Sequence, residues 1–539
     1  MELIDYNRFV WRVDKSVKGR HIREAGGGEA VEDIWKLTKH GEQNLFIGTY
    51  ATSAVALSPE ALFAHVRNAW RSLRWELPTI AAKTAHDWHG AGKPPTIYIV
   101  YDEAKSDEDI EQWLEGTTES FPTYGAENKT LDDLRYDVGQ EPIPVNDYDW
   151  QTFLYLVPYS STKFGLLLRT AHTTFDGAGV KILMTRLFKH LAAYIGDPVE
   201  YASSQKEKLR WGTGDEANAL PLFITEILRE EEAEVKDDRG NVLSEAKRGE
   251  PRDGPEYWAT LGQVMEELVG GMPRQHPFKS FIEPRFDPTT SKPKTRRYEH
   301  RFTVEQSQAI HRAGLQHGLG SSPSNPNQKL TVNHLVHGAL SLLPIYDNPL
   351  PADTDALVYY FGLVDARQRL RKDYRTSPLD YPGYCLGVSS LHIPAKLFHQ
   401  YDAEKQKKEL VFAFAKEVRR EYVKQAAFPA LLAIEPQQGE LMMGGPAPPP
   451  WAGPAYAADG KGAVYLYPVY KAGKDEKTII EIDDFFLGLN KCDPGPFFRC
   501  YEWKGRIILS VDYNEFAVSE ETIKQWMGLW VDLLLSVTV

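Results

Sequence analysis

Between Phe164 and Tyr194 the spacing of apolar residues changes from every second position to every third or fourth, and this change constrains the fold more than any other feature. From Phe164 to His172, the residues Leu166, Leu168, Thr170 and His172 share one face of an extended strand, with Leu167, Arg169 and Ala171 on the other. From Val180 onward, Leu183, Leu187, Leu191 and Tyr194 form one stripe of a helix that Gly196 and Pro198 end. A strand apolar on both faces that runs into an apolar helix belongs to a sheet covered by helices. The turn between them reads His172, Thr173, Thr174, Phe175, Asp176, Gly177, an HxxxDG string.

That turn holds three residue types with distinct uses. His172 closes the strand and is a titratable base near neutral pH. Asp176 stands just before the helix, where a carboxylate suits the positive end of the helix dipole. Gly177 permits a backbone conformation or a close approach that a side chain would block. In a chain with 15 His and 41 Gly, three fixed residues match by chance in on the order of one chain in ten, so the weight falls on the strand, turn and helix around them. A histidine satisfied by hydrogen bonds and a helix-capping aspartate is the structural reading. A general base for acyl transfer is the chemical one.

The chain has 539 residues, more than one hydrophobic core usually spans, so two or more domains are expected. A net charge of −13 argues against nucleic acid or an anionic membrane as partner. Met1 to Trp11 mixes Glu2, Asp5 and Arg8 with apolar residues and lacks a signal-peptide core. No stretch is long and apolar enough to span a membrane. The three cysteines, Cys385, Cys492 and Cys500, fit neither a disulfide framework nor a zinc ligand set. A reducing, cytoplasmic setting and no bound metal are the expectations.

Along the first half, Leu45 to Leu57 reads as a strand, and Ser58, Pro59 and Glu60 open a helix striped by Leu62, Val66, Ala69, Trp70 and Leu73. Thr96 to Tyr101 is a buried strand, Asp102 to Asp149 is acidic and irregular, and Tyr155 to Tyr159 pairs with Phe164 to His172 as a hairpin. Residues 1–204 form a first lobe on this reading. Residues 205–296 form a helical insert and linker, with an acidic run at Glu230 to Glu234, a turn at Asp237 to Gly240, helical segments around Phe223 and Val264, and a basic, proline-rich end from Pro284.

Residues 297–539 form a second lobe that again opens with a strand, Arg297 to Phe302, then a Thr303/Gln306 capping box. Thr331 caps a helix through Leu343, Ala356 to Val364 is a buried strand, and Ala403 to Lys424 is a long helix. Gly444 to Gly453 is a surface loop. Ile507 to Tyr513 alternates as a strand before a helix capped by Ser519. Other pairings are weaker: His334 and His337 lack a third metal ligand, and His86 and His89 bracket Asp87 and Trp88 without evident partners. Arg367, Arg369, Arg371 and Lys372 form a basic cluster at a strand end, and Trp88, Tyr384 and Trp451 are candidates for a substrate wall.

Four segments carry a resemblance. HTTFDG at His172 to Gly177, VDARQRL from Val364, YPGYCLG from Tyr381 and DDFFLG from Asp483 occur in the order seen in the BAHD acyltransferase and condensation-domain superfamily. The closing GRIILSVDYNEF from Gly505 is similar to the end of a condensation-type domain. Within that superfamily, the length, the acidic insert and TYATSAVALS from Thr49 look most like the fungal trichothecene 15-O-acetyltransferases and their relatives. The resemblance implies an α/β fold of two chloramphenicol-acetyltransferase-like lobes, each a mixed sheet covered by helices, with a tunnel between them. It implies His172 as general base and an acyl thioester such as acetyl-CoA as co-substrate, with no tightly bound cofactor and a monomeric protein. Asp176 would hold the turn through an arginine, Arg367 being favoured over Arg74. Asp484 and Gly488 stand where plant relatives carry DFGWG, a structural segment, so they are expected to keep its turn and to support the catalytic turn together with Asp176, Gly177 and Arg367. Ala171 precedes His172 where many condensation domains have a second histidine.

Three functions follow. The first is acyl transfer from acetyl-CoA to a hydroxyl of an apolar secondary metabolite, such as a trichothecene-like sesquiterpenoid. The second is amide formation from a carrier-protein thioester. The third is a non-catalytic scaffold that keeps the motif as turn chemistry.

Overall fold

The strand Lys163–Thr170 is hydrogen-bonded on both sides, to Leu45–Ser53 and to Thr152–Pro158, within a six-stranded sheet. The computed structural model describes residues 2–39, 41–90, 92–141, 143–236, 242–244, 246–282, 294–319, 329–375, 380–445, 451–473 and 476–539. In sheet order the six strands are Val469–Ala472, Lys477–Leu489, Leu45–Ser53, Lys163–Thr170, Thr152–Pro158 and Thr118–Ser120. Only the last pairing is parallel. Two strands from the far end of the chain thus complete the sheet that carries the HTTFDG turn.

Both faces of this sheet are covered, which explains why the 163–170 strand is apolar on both sides. Leu166 and Leu168 join the largest core, with Val66 and Trp70 of the helix Pro59–Glu76 and Leu183, Leu187 and Leu191 of the helix Gly177–Gly196. Leu167 faces the opposite way, onto Phe46, Leu131, Leu134 and Phe486. A second core lies between the sheet Thr295–Arg301, Arg506–Asn514, Phe497–Trp503, Ala455–Lys461 and the helices Val304–Leu319, Val332–Leu340, Lys407–Ala427 and Glu520–Ser536. A ribbon of Leu357–Asp365 and Leu386–Pro394 joins the helix Pro255–Gly271 in a third core. A four-stranded sheet of Arg12–Val13, Arg20–Glu24, Thr96–Asp102 and Lys83–Asp87 completes the fold. No described helix is long and apolar enough to cross a membrane.

Local signals placed the helix starts well. Ser58 accepts from Ala61 N–H, Ser519 from Thr522 N–H and Thr331 from His334 N–H, and Thr303 with Gln306 forms the expected reciprocal box. The segment Asp102 to Asp149 is not irregular: it holds the helices Asp107–Thr117 and Leu131–Gly139. Five of its acidic residues, Asp107, Glu108, Asp109, Asp132 and Asp133, are first-turn residues behind Ser106 and Thr130 caps, a role that composition alone hides. Around Phe223 there is one 3₁₀ turn, Ile224–Glu226, whereas Val264 lies on a true helix. The turn expected at Asp237 to Gly240, most of the stretch from Pro284, and Pro446 to Pro450 of the Gly444 to Gly453 loop lie outside the described residues. The helix Gly27–Thr38 was not anticipated, because three consecutive glycines precede or open it.

Candidate active site

His172 is placed by the end of its strand. The ladder stops at Thr170, not at His172, and residues 172–174 form a turn before the helix begins at Gly177. The imidazole lines a cavity of about 310 Å³ together with Leu45, Lys181, Asp459, Tyr465 and Arg499. Its Nδ1 is buried and has no hydrogen-bond partner of acceptable geometry, which leaves Nε2 as the nitrogen open to the cavity. Burial pushes the imidazole pKa down to about 4, against the pull of the Asp176 charge and of the residue's own carbonyl. A neutral imidazole at pH 7 can accept a proton.

Asp176 is the N-cap of the helix Gly177–Gly196 and is fully buried. Its Oδ1 accepts from Gly179 N–H at 2.6 Å and from Arg367 Nη2 at 2.8 Å. Its Oδ2 accepts from Arg367 Nη1 at 3.0 Å and from Cys385 N–H at 2.9 Å. Arg367 spends its other N–H groups on the carbonyls of Tyr381 and Gly383, each at 2.8 Å, and on Asp365 Oδ1 at 2.9 Å. All five guanidinium donors are therefore occupied. The other candidate, Arg74, instead lies over Trp113 at 4.9 Å and donates to the Asp102 carbonyl.

Two expectations about the turn need correction. Gly177 has no left-handed backbone, and a Cβ there would meet only Asp459 Oδ1 at 3.6 Å, an ordinary contact. The position that excludes a side chain is Gly179, where a Cβ would collide with the Pro382 carbonyl. Its bareness lets the loop that carries Tyr381 and Gly383 seat against the helix start. Asp484 and Gly488 do not form a turn: both lie in the strand Lys477–Leu489. Asp484 Oδ2 pairs with Arg301 at 2.7 Å, and Gly488 makes room for the stem of Arg135.

The residue after the base is tied to a network that sequence reading missed. Thr173 Oγ1 donates to Asp33 Oδ1 at 3.0 Å, and the buried Asp33 also meets Lys36 Nζ at 2.6 Å and His86 Nε2 at 2.7 Å. His86 Nδ1 lies 2.5 Å from Asp147 Oδ1. Burial works against the His86 charge, but Asp33 and Asp147 overcome it and raise the pKa above its ordinary value. His86 thus has two carboxylate partners, 53 and 61 residues away in sequence.

A second, smaller cavity of about 90 Å³ lies alongside and shares Gln43, Leu363 and Phe497 with the first. Gln43 holds a left-handed backbone, φ 63°, which is costly for a residue with a Cβ. Tyr384 lines this cavity and meets the His172 ring edge-on at 5.7 Å. The other proposed wall residues stand elsewhere: Trp88 is 62% exposed, and Trp451 packs on Tyr359 and Phe361. Arg369 pairs with Glu250, and His337 sits among Tyr360, Tyr422 and Tyr456. No cluster of three metal-ligating side chains occurs among the described residues.

No family model and no curated protein sequence matches this chain. Solved structures do. The trichothecene 15-O-acetyltransferase TRI3 from Fusarium sporotrichioides superposes with a TM-score of 0.80 at 18% identity, covering 100% of both chains. The starter condensation domain of rhizomide synthetase RzmA, a mutant in complex with C8-CoA and Leu-SNAC, gives 0.56 at 9% identity over 95% of this chain and 94% of that one. The EpoB cyclization-docking bidomain of a peptide synthetase from Sorangium cellulosum gives 0.54 at 12% identity over 96% and 85%. The chain shares the fold of these three proteins.

Proposed function

We propose that this chain, built on an acyltransferase fold, transfers an acetyl group from acetyl-CoA to a hydroxyl of an apolar small molecule, with His172 as general base. One observation carries this reading: a histidine held neutral by burial turns its free nitrogen into a cavity, on a turn fixed by the Asp176–Arg367 pair. An alcohol is a poor nucleophile at neutral pH, so its proton must leave as its oxygen attacks. Nε2 of His172 takes that proton while the oxygen bonds to the thioester carbonyl carbon. When the tetrahedral adduct collapses, the C–S bond breaks and the imidazolium returns the proton to the departing thiolate. The products are an ester and free coenzyme A, with no covalent enzyme intermediate.

The larger cavity carries three basic residues, Lys181, Lys461 and Arg499, against the carboxylates Asp365 and Asp459, with Arg499 paired to Asp459, so Lys181 and Lys461 are the cations that favour entry of the anionic thioester from its side. The similarity to TRI3 over the whole chain supports a trichothecene-like sesquiterpenoid as the alcohol. We place the protein in the cytoplasm as a monomer. Asp176 and Arg367 are assigned to holding the turn, and Gly179, in place of Gly177, to admitting the loop against it.

The test is release of free thiol from acetyl-CoA across a panel of hydroxylated terpenoids, with wild-type protein and His172→Ala. Thiol release with at least one alcohol, lost in the variant, is expected. Equal release from both proteins would remove His172 from the mechanism. The likeness to a starter condensation domain solved with Leu-SNAC favours one second reading, amide formation from an amine. Amines and an acylated carrier protein in the same assay decide between the two.

A further inference from the structure

The smaller cavity contains a carboxyl group that the fold does not use. Glu32, on the helix Gly27–Thr38, is 8% exposed and makes no hydrogen bond or ion pair with any described residue. It lines the cavity among Val31, Trp35, Met442, Tyr456 and Phe497. A buried polar group without a partner destabilises a fold by roughly 1–3 kcal/mol, so such groups are rare unless something outside the fold completes them.

The neighbouring Glu435 shows what a structural carboxyl looks like in the same wall. Its Oε1 accepts from Gly28 N–H at the start of the helix Gly27–Thr38. Gly27 and Gly439 are bare where their two helices meet backbone to backbone, and a Cβ on Gly27 would strike the Glu435 carboxyl. Glu435 therefore fastens two helices, whereas Glu32 fastens nothing. Burial pushes the Glu32 carboxyl up to about 8. At neutral pH it is a neutral acid, able to donate one hydrogen bond and accept others.

We propose that this second cavity holds the apolar body of the alcohol substrate, and that Glu32 binds a hydrogen-bond donor on it, a second hydroxyl or an ammonium, remote from the hydroxyl that is acylated. The inference rests on the proposed acyl transfer. Tyr384 connects the two sites, since it lines this cavity and touches the His172 ring. A mostly apolar cavity rewards an apolar skeleton, and its unpartnered polar atoms, on Glu32 and also Oε2 of Glu435 and Oε1 of Gln438, select for a ligand that carries the complement; of these three side chains Glu32 alone has no bond to the fold.

The experiment measures binding without any thioester, so it does not depend on turnover. Three probes, 2-(2-naphthyl)ethanol, 1-(2-naphthyl)-1,2-ethanediol and 2-amino-2-(2-naphthyl)ethanol, are titrated into wild type, Glu32→Leu, Glu32→Gln and Glu435→Gln by calorimetry. Wild type is expected to prefer the diol or the amino alcohol over the mono-ol by roughly tenfold. That preference should vanish in Glu32→Leu, persist partly in Glu32→Gln, and remain in Glu435→Gln. Proton release on binding the amino alcohol marks an ammonium partner, and its absence marks a hydroxyl; either supports the proposal. Equal preference in wild type and Glu32→Leu, a uniform weakening of all three probes in Glu32→Leu, or no saturable binding to wild type overturns it. If binding behaves as expected but His172→Ala leaves thiol release unchanged, the acyl-transfer mechanism fails while the Glu32 site stands.

Discussion

Two buried carboxyl groups, Asp176 and Glu32, behave in opposite ways. Asp176 accepts four hydrogen bonds, two of them from Arg367, and holds a helix start against a loop about 200 residues away in sequence. Glu32, on the wall of the neighbouring cavity, accepts none. The first is completed by the chain itself and belongs to the scaffold. The second is left open by the chain and points to a ligand.

The contrast breaks most sharply if one partner of the closed pair is removed. Arg367→Ala leaves Asp176 buried without its counter-charge, and a loss of about 3–5 kcal/mol in urea unfolding is expected, with loss of activity. A loss under 1 kcal/mol would show that the pair does not hold the turn.

Next is His172→Ala, which should lower kcat by about 10²–10⁴ while leaving the unfolding midpoint near that of wild type, because Nδ1 bonds to nothing. In the wild type, kcat/KM should rise with pH through about 4, not 6.5. A folded-state pKa below the ordinary value also means that protonation favours unfolding, so this residue's contribution to stability is lost as pH falls from about 6.5 towards 4.

The two regions should also respond to pH with opposite signs. Around the closed pair, burial raises the pKa of Asp365, but the Arg367 charge outweighs it and holds the carboxyl below the usual range, so its stabilisation is lost as pH falls. In the open cavity, burial raises Glu32 and Glu435 from 4.5 to about 8, so the folded state keeps protons that the unfolded chain releases. Stability from these two falls as pH rises across that window and levels off above it. Thermal melting from pH 5 to 9 should show a decline that the Glu32→Gln, Glu435→Gln double variant flattens; an unchanged slope refutes the assignment.

Smaller effects refine the edges. Asp33→Asn removes the charge that meets Thr173, Lys36 and His86, and should cost about 1–3 kcal/mol with a reduced kcat. Asp484→Asn weakens a part-exposed pair with Arg301 and should change stability by under about 1 kcal/mol, with activity intact. A large loss of activity there would return the DDFFLG segment to the site.

The sequence by itself determined the strand, turn and helix around HTTFDG, the Asp176 cap, and the Ser58, Thr303, Thr331 and Ser519 helix starts. These are legible because each is a contact among residues no more than about four apart, whose spacing is written in the chain. The same rules failed at Asp102 to Asp149 and at the Gly27–Thr38 helix, where composition opposed the final structure. Tertiary structure alone decided the rest. It set Arg367, already favoured over Arg74, against Asp176 with all five donors used, and moved the essential bareness from Gly177 to Gly179. It also gave His86 its two carboxylates and left Glu32 without a partner. Each of those depends on which distant segments meet, and the meeting is fixed by packing of whole sheets and helices, not by the spacing of neighbours along the chain.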